Sequence, residues 1–156
     1  MSGPEDLSPA VRQALTYAET HMKTQHVLFR DIPFRTKNVG RGEATIKVTL
    51  PATFADGDEI HGGFYTIMLD TLLGVSAWSM MEVFQPIVTI NLKTDFYRSA
   101  PPKTDILFTA HCEGIVDDVA VCHGRATTEQ GDLLAHAAGT FLVSRGKSAE
   151  GKESRL

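Results

Sequence analysis

The stretch from His61 to Val83 constrains the fold of this chain more than any other part of its sequence. Between Phe64 and Met81 it carries a single charged residue, Asp70, and the corresponding helix has no clearly polar face. At roughly 1.5 Å per residue such a helix is about 30 Å long, which spans a small domain. A helix that is apolar nearly all round is normally buried on all sides. We therefore predict a central helix inside a folded domain.

Membrane insertion is the alternative interpretation of this stretch. The apolar run is interrupted by Asp70, Ser76 and Ser79, and it falls short of an uninterrupted span of about 20 apolar residues. The central helix of a folded domain with no membrane partner is therefore the favoured interpretation.

Asp70 is the unusual residue of this helix. An ionised carboxylate among apolar side chains is costly unless hydrogen bonds or a polar cavity compensate. Asp70 is therefore either a structural residue bonded to a nearby backbone amide or a functional acid. The helix opens with His61, Gly62 and Gly63, and first-turn N–H groups without side-chain cover can bind a developing negative charge. This helix start favours the functional interpretation.

Length and composition predict one domain over residues 1–145 and a flexible tail over residues 146–156. The net charge of −4 argues against general binding to nucleic acid or to anionic membranes. We expect a cytoplasmic protein, because Met1–Asp6 is polar and acidic and does not resemble a signal peptide. Cys112 and Cys122 fit no metal-binding spacing; they either face each other across a hairpin or are simply two small, reduced core residues.

The rest of the chain predicts one more helix and an antiparallel sheet. Ser8 followed by Pro9 is typical of a helix start, and apolar residues at helical spacing predict an amphipathic helix over Pro9–Lys23. Thr53–Ile60 is interpreted as an acidic loop that leads into the central helix. Six strands are predicted: Ile32–Lys37, Glu43–Leu50, Ile87–Tyr97, Ile106–Gly114, Val119–Thr128 and Leu133–Ser144. Because strands and helices do not alternate along the chain, the fold class is α+β with an antiparallel sheet.

Three sequence blocks resemble the hotdog-fold acyl-CoA thioesterases, and most closely their phenylacetate-pathway (PaaI-like) branch. The blocks are HGGFYTIMLDTLLG, VTINLKTDFYRSA and GDLLAHAAGTFLV, in the order in which the family has them. The resemblance covers Ile32 to Val143. It implies a hotdog fold, in which a curved antiparallel β-sheet wraps around the long central helix. It also implies subunits that pair as a homodimer or a dimer of dimers, with active sites at the subunit interface.

The resemblance further implies an activity and the residues that carry it. The expected reaction is hydrolysis of a small or medium acyl-CoA, aryl or aliphatic, with no metal and no cofactor, since coenzyme A is part of the substrate. Asp70 is the expected general base or nucleophile. The N–H of Gly62 or Gly63, which follow His61, is expected to polarise the thioester carbonyl. The hydroxyl of Thr89 is expected to assist.

Substrate contacts are expected from Arg98, Asn91 and Phe64. Arg98 lies in the one locally basic stretch of the chain, together with Lys93 and Lys103, and the coenzyme A portion of the substrate is anionic. The ordinary interpretation of Arg98 is a solvated residue at the end of a strand, and that of Thr89 is a strand threonine.

Ala55 departs from the family pattern. Many members carry Asn or Gln six residues before the histidine of the His-Gly-Gly start, and Ala55 has no side chain that can make the same contact with the carbonyl or a water. A non-catalytic acyl-CoA-binding hotdog module is therefore the alternative to a hydrolase. A hotdog dehydratase or hydratase is disfavoured because the paired histidine and acid of those enzymes are absent.

The spacing of Gly62 and Asp70 has a consequence that does not depend on the family. Eight residues along one helix span about 12 Å. A carbonyl-polarising donor and a base that act on one carbon should each lie roughly 3 Å from their reacting atoms. If both residues are catalytic, Gly62 of one subunit must act with Asp70 of another, which predicts a homo-oligomer.

Overall fold

The computed structural model of the protein describes residues 2–143, so the predicted tail at 146–156 lies outside the described residues. Single 3₁₀ turns occur at Pro4–Asp6 and Ala52–Phe54. Within the described part of the chain the helices and longer elements are, in order, α1 Pro9–Thr24, β1 Phe34–Gly40, β2 Glu43–Thr49, β3 Ala55–Asp56, β4 Glu59–Ile60, α2 Gly62–Ser79, β5 Ile87–Phe96, β6 Asp105–Val116, β7 Val119–Thr128 and β8 Leu133–Val143.

Six of the strands form one antiparallel sheet in the order β1-β2-β6-β7-β8-β5. All six predicted strands and the α+β class are thereby confirmed, and Ser144, the predicted end of the last strand, lies outside the described residues. The first hairpin is tighter than predicted, because Gly42 adopts a φ of 75° and lets β1 continue to Gly40. The strand order leaves β5 paired with β8 on one side only, so its other edge is free within residues 2–143.

Strand alternation builds the surface on which α2 packs. On β6 the side chains of Ile106, Phe108 and Ala110 are buried toward α2, and the residues between them point to the opposite face. The helix contributes an apolar set that is at most 3% exposed, namely Phe64, Tyr65, Met68, Leu69, Leu72, Leu73 and Ala77. The core therefore lies between the sheet and one side of the central helix. Neither helix of residues 2–143 is long and apolar enough to cross a membrane.

The other side of α2 is not fully buried, and the prediction that the helix is covered all round is wrong there. Thr71, Val75 and Trp78 recur at helical spacing, are only partly buried, and line a cavity bounded by α1. Helix α1 and residues of β1 border the cavity on this side, whereas the sheet packs directly on the other side of α2. The serines that interrupt the apolar run are buried, and their hydroxyls donate to helix carbonyls at 2.7 Å.

Helix α1 begins as its sequence predicts. The Ser8 hydroxyl oxygen accepts a hydrogen bond from the Val11 N–H at 3.2 Å, and Pro9 occupies the first helical position. The same hydroxyl donates to the Glu82 carbonyl at 2.7 Å, beyond the end of α2. These contacts attach the start of α1 near the end of the central helix.

The segment predicted as an acidic loop folds instead into the short hairpin β3–β4. Ala55 and Asp56 pair with Ile60 and Glu59, and Gly57 closes the turn with a φ of 67°. Two residues per strand are too few for an alternating pattern to be visible in the sequence. The hairpin matters because it leads directly into the start of α2.

The two cysteines satisfy both interpretations that the sequence left open. Cys112 and Cys122 are register partners on β6 and β7, and both are buried and free. The hydrogen bond with Cys112, together with burial, raises the pKa of the Cys122 thiol. The pair therefore belongs to the core.

Candidate active site

The start of α2 presents one free backbone donor. His61 is the N-cap residue, and its Nδ1 accepts a hydrogen bond from the Gly63 N–H at 2.9 Å. The expectation of an uncovered first turn is therefore wrong for Gly63. The N–H of Gly62 has no acceptor among residues 2–143. Of the two glycines, Gly62 is the one whose donor is available to an oxyanion.

Gly62 is also closely approached by an aromatic ring. A Cβ atom at this position would lie 3.2 Å from the ring of Phe96, at the end of β5. That distance is tight, so the ring would have to shift by a few tenths of an ångström to admit a larger residue. A glycine here leaves room for the ring of Phe96, which is itself more than half exposed.

Asp70 lies in the middle of α2, and its side chain is paired with the sheet. The Thr89 hydroxyl donates to Asp70 Oδ1 at 2.9 Å. Within the described chain, Oδ2 has no hydrogen-bond partner, so one carboxylate oxygen is held and the other is open. Asp70 is half-buried, as expected for an acid that faces a cavity. The structure thus brings together two residues, nineteen positions apart, that the sequence assigned to one site.

A cavity of about 690 Å³ opens beside this pair. Asp70, Thr71 and Thr89 are among the few polar side chains on the α2 and β5 walls. The remaining walls are largely apolar and come from α1, the segment between α1 and β1, β1, α2 and β8, with Leu15, Met22, Phe29, Phe34, Met68, Val75, Trp78 and Phe141. A concave, mostly apolar space with a few placed polar groups is typical of a small-molecule site.

The start of α2 lines a different depression. Its volume is about 460 Å³, and its walls include Ala55, Asp56, His61, Gly63 and Ile67. Thus Asp70 and Thr89 line one space of the chain, whereas His61 and Gly63, the neighbours of Gly62, line another. Gly62 and Asp70 lie on one straight run of helix, about 12 Å apart by its rise per residue.

The three predicted substrate-binding residues lie in different surroundings. Phe64 is fully buried, with its ring 4.9 Å from that of Phe54, so it supports the wall of the smaller depression. Asn91 is exposed and follows a bulge in β5, between Thr89 and Asn91, which reverses the alternation and turns it away from Asp70. Arg98 is exposed just beyond β5, 4.0 Å from Asp132. Their contacts with a substrate remain predictions.

Sequence reasoning missed the part of the cavity wall that α1 supplies. The helix was predicted as a packing element, yet Leu15 and Met22 are only partly buried and border the cavity. The signal was present in the apolar stripe of α1, but periodicity does not say whether a stripe meets a packed core or an open space.

The fold matches solved structures over most of its length. The PaaI protein of the Escherichia coli phenylacetic acid degradation operon matches with a TM-score of 0.77 at 18% identity, covering 90% of this chain and 97% of that one. Zebrafish thioesterase superfamily member 2 matches with a TM-score of 0.76 at 16% identity, covering 85% and 97%. A hypothetical thioesterase from Streptococcus pneumoniae TIGR4, solved with coenzyme A, matches with a TM-score of 0.67 at 14% identity, covering 74% and 89%.

These matches define a hotdog-fold protein, as the sequence blocks predicted. The model of the thioesterase superfamily matches residues 58–135, half of the chain, and includes α2 and the strands from β5 to β7. The chain belongs to the thioesterase superfamily. No curated protein matches it in a sequence comparison.

Proposed function

We propose that this protein is an acyl-CoA thioesterase, which hydrolyses the thioester of a small or medium acyl-CoA, aryl or aliphatic, to the free acid and coenzyme A. The observation that carries the proposal is the Asp70 carboxylate, held by Thr89 at the wall of an apolar cavity of about 690 Å³. In this proposal the acyl group occupies the apolar cavity, and its thioester carbon lies next to the carboxylate.

The proposed reaction uses the Asp70 carboxylate and the Gly62 N–H. With Asp70 as general base, its free oxygen takes a proton from a water molecule, and the hydroxide adds to the thioester carbon. The carbonyl oxygen becomes an oxyanion, which a Gly62 N–H stabilises. The tetrahedral intermediate then breaks its carbon–sulfur bond, and the thiolate of coenzyme A takes up the proton from Asp70. Direct attack by the Asp70 carboxylate is the second route, and the same residues serve it.

The donor and the acid come from two subunits in this proposal. They lie about 12 Å apart along α2, which is too far for one thioester carbonyl and its attacking water. β5 carries Thr89, has a free edge within residues 2–143, and has Val88 and Ile90 more than half exposed. Pairing of two chains along this edge as a homodimer would bring Gly62 of the partner subunit toward Asp70 and would cover the apolar side chains.

The coenzyme A portion is expected to lie outside the cavity, along exposed residues at the end of β5. Arg98 is 70% exposed in its side chain, and its nearest charged partner is 4.0 Å away, so its guanidinium can turn to a phosphate. The structural relative from Streptococcus pneumoniae, solved with coenzyme A, supports a coenzyme A ligand for this fold.

A non-catalytic acyl-CoA-binding module is the second candidate. Ala55 is exposed at the smaller depression, beside the start of α2, and brings no side-chain hydrogen-bond donor there. If the missing amide is essential to hydrolysis, the same cavity still binds an acyl group.

A panel of aryl and aliphatic acyl-CoAs separates the two candidates. A thiol-trapping dye reports released coenzyme A, and titration calorimetry reports binding of the same compounds. We expect turnover with at least one member of the panel and dependence of KM on the size of the acyl group. Tight binding of several acyl-CoAs with no release of thiol would favour the module. If the protein neither binds nor hydrolyses any member of the panel, both candidates are excluded.

A further inference from the structure

A second cluster of ionisable side chains lies on the face of the sheet that points away from α2. His111 and Glu113 are on β6, and His123 is on β7. His123 Nε2 is 2.8 Å from Glu113 Oε1, and His111 Nε2 is 3.8 Å from Glu113 Oε2. One ligand atom from each of the three residues lies within 4.8 Å of the others. This arrangement belongs to neither cavity that borders the candidate active site.

The backbone explains why the three side chains converge. His111 and His123 are register partners on adjacent antiparallel strands, with ring centroids 5.4 Å apart. The register shifts between Cys112 and Gly114, so Glu113 is the extra residue of a β-bulge. Bulges redirect side chains. At this bulge the Glu113 carboxylate contacts His123 on the neighbouring strand.

We propose that His111, Glu113 and His123 form a binding site for a divalent transition-metal ion such as Zn²⁺. Zinc bonds to imidazole nitrogen and carboxylate oxygen are about 2.0–2.2 Å long, so two ligand atoms on one tetrahedral ion lie about 3.3 Å apart. The two nitrogen–oxygen distances, 2.8 and 3.8 Å, fall on either side of that separation. Small rotations of exposed side chains therefore suffice to close the site.

The donor set selects the class of metal. Two imidazoles with one carboxylate suit Zn²⁺, Cu²⁺ or Ni²⁺, whereas Mg²⁺ and Ca²⁺ prefer oxygen ligands alone. The side chains are 39–59% exposed, so water can complete the coordination. A depression of about 260 Å³ adjoins the two histidines and leaves room for it. Glu43, the register partner of His111 on β2, adds a second negative charge nearby, and Arg125 opposes it.

The test is isothermal titration calorimetry, in which the purified full chain is titrated with zinc chloride. We expect one Zn²⁺ per chain, and we expect His111→Ala, Glu113→Gln and His123→Ala each to weaken binding at least tenfold. Because these side chains are exposed, the variants should fold, which circular dichroism checks. Co²⁺ is the second probe, since a tetrahedral site with nitrogen and oxygen ligands gives a visible absorption band that the three variants should lose.

Two other histidines serve as matched controls. His136 lies one strand away, with its ring 6.3 Å from that of His123, and His21 lies near the end of α1, 6.2 Å from the ring of His26. His136→Ala and His21→Ala should change zinc affinity less than twofold. Absence of zinc binding to the wild type would overturn the site. Binding that survives in all three ligand variants, or that only the His21 variant loses, would overturn it as well.

Discussion

The middle and the start of α2 prepare for one reaction in different ways. Asp70, in the middle, is oriented by a hydrogen bond from Thr89 and faces a large apolar cavity. Gly62, at the start, offers a backbone N–H with no acceptor in the described chain, and its neighbours His61 and Gly63 line a smaller depression. In the middle of α2, one chain supplies the acid, its hydrogen-bond partner and a cavity for the acyl group. At the start of α2, the same chain supplies an N–H donor, and Asp70 lies about 12 Å away along the helix.

This difference indicates that the acid and the oxyanion donor have different structural requirements. An acid that must stay in position benefits from a hydrogen-bonded neighbour, and Thr89 on β5 supplies one. A donor that must meet the substrate of another subunit has to remain accessible. Each of the changes below removes or restores one side of this comparison.

The largest effect is expected from Asp70→Asn. The amide keeps the shape of the side chain but cannot accept a proton, and general base catalysis contributes about 10²–10⁴-fold. Steady-state turnover should fall by that factor, while acyl-CoA affinity and thermal stability stay close to wild type. Asp95→Asn is the matched control, because Asp95 is on β5 and pairs with Lys93 at 3.0 Å. Turnover near the wild-type value in a folded Asp70→Asn protein would contradict the role of the acid.

Gly62→Pro should give the next largest effect. Proline removes the backbone N–H, and loss of one oxyanion donor costs about 10²–10³-fold in turnover. The helix should tolerate the change, because Gly62 is at the first helical position and His61 before it is extended, with φ −58° and ψ 135°. Gly62→Ala adds the same Cβ next to Phe96 and keeps the N–H, so it separates crowding from loss of the donor. Equal losses in the two variants would assign the effect to crowding.

The general plan of the fold was predictable, and the reasons lie in particular elements. The helix start at Ser8, the apolar run of α2 and the alternation on β6 are strong local signals, and the structure confirms each. The pairing of Asp70 with Thr89 was implied only by family resemblance, since neither periodicity nor spacing brings the two together. The hotdog fold supplies that contact.

Thr89→Val should reduce turnover by about tenfold. Valine has the shape of threonine, but it cannot donate to Asp70 Oδ1, and a hydrogen bond to a charged group is worth about 1.5 kcal/mol or more. Thr89→Ser retains the hydroxyl and should stay within about threefold of wild type. Unchanged turnover in both variants would show that Asp70 does not depend on this bond.

Ala55→Asn addresses the region at the start of α2 and should raise turnover by about tenfold, roughly 1.4 kcal/mol of barrier. Ala55 is exposed at the same depression as His61, so an amide there would lie beside the start of α2, where the proposal puts the carbonyl. The measurement is turnover of both proteins on one saturating acyl-CoA. Unchanged or lower turnover would mean that Asp56, Asp58 or an ordered water already serves this role.

Other features could not be predicted because they depend on contacts rather than on pattern. The covering of the Gly63 N–H by His61 depends on a side-chain rotamer, and the partly open side of α2 depends on how α1 sits against it. Simple alternation along the strand would place Asn91 on the same face as Thr89. The bulge between them reverses the alternation and turns Asn91 away from Asp70. The sequence pattern predicted the positions of the helices and strands well, but it did not predict the orientation of individual side chains.

The central claim, that one site takes its donor and its acid from two subunits, is tested most directly by mixed dimers. Gly62→Pro and Asp70→Asn chains carrying different affinity tags are combined, and the heterodimer is purified through both tags. In a symmetric dimer one of the two sites is then intact, so turnover should recover to about half of wild type per dimer. Verified heterodimers no more active than either variant alone, or a fully active wild-type monomer by sedimentation, would contradict the claim.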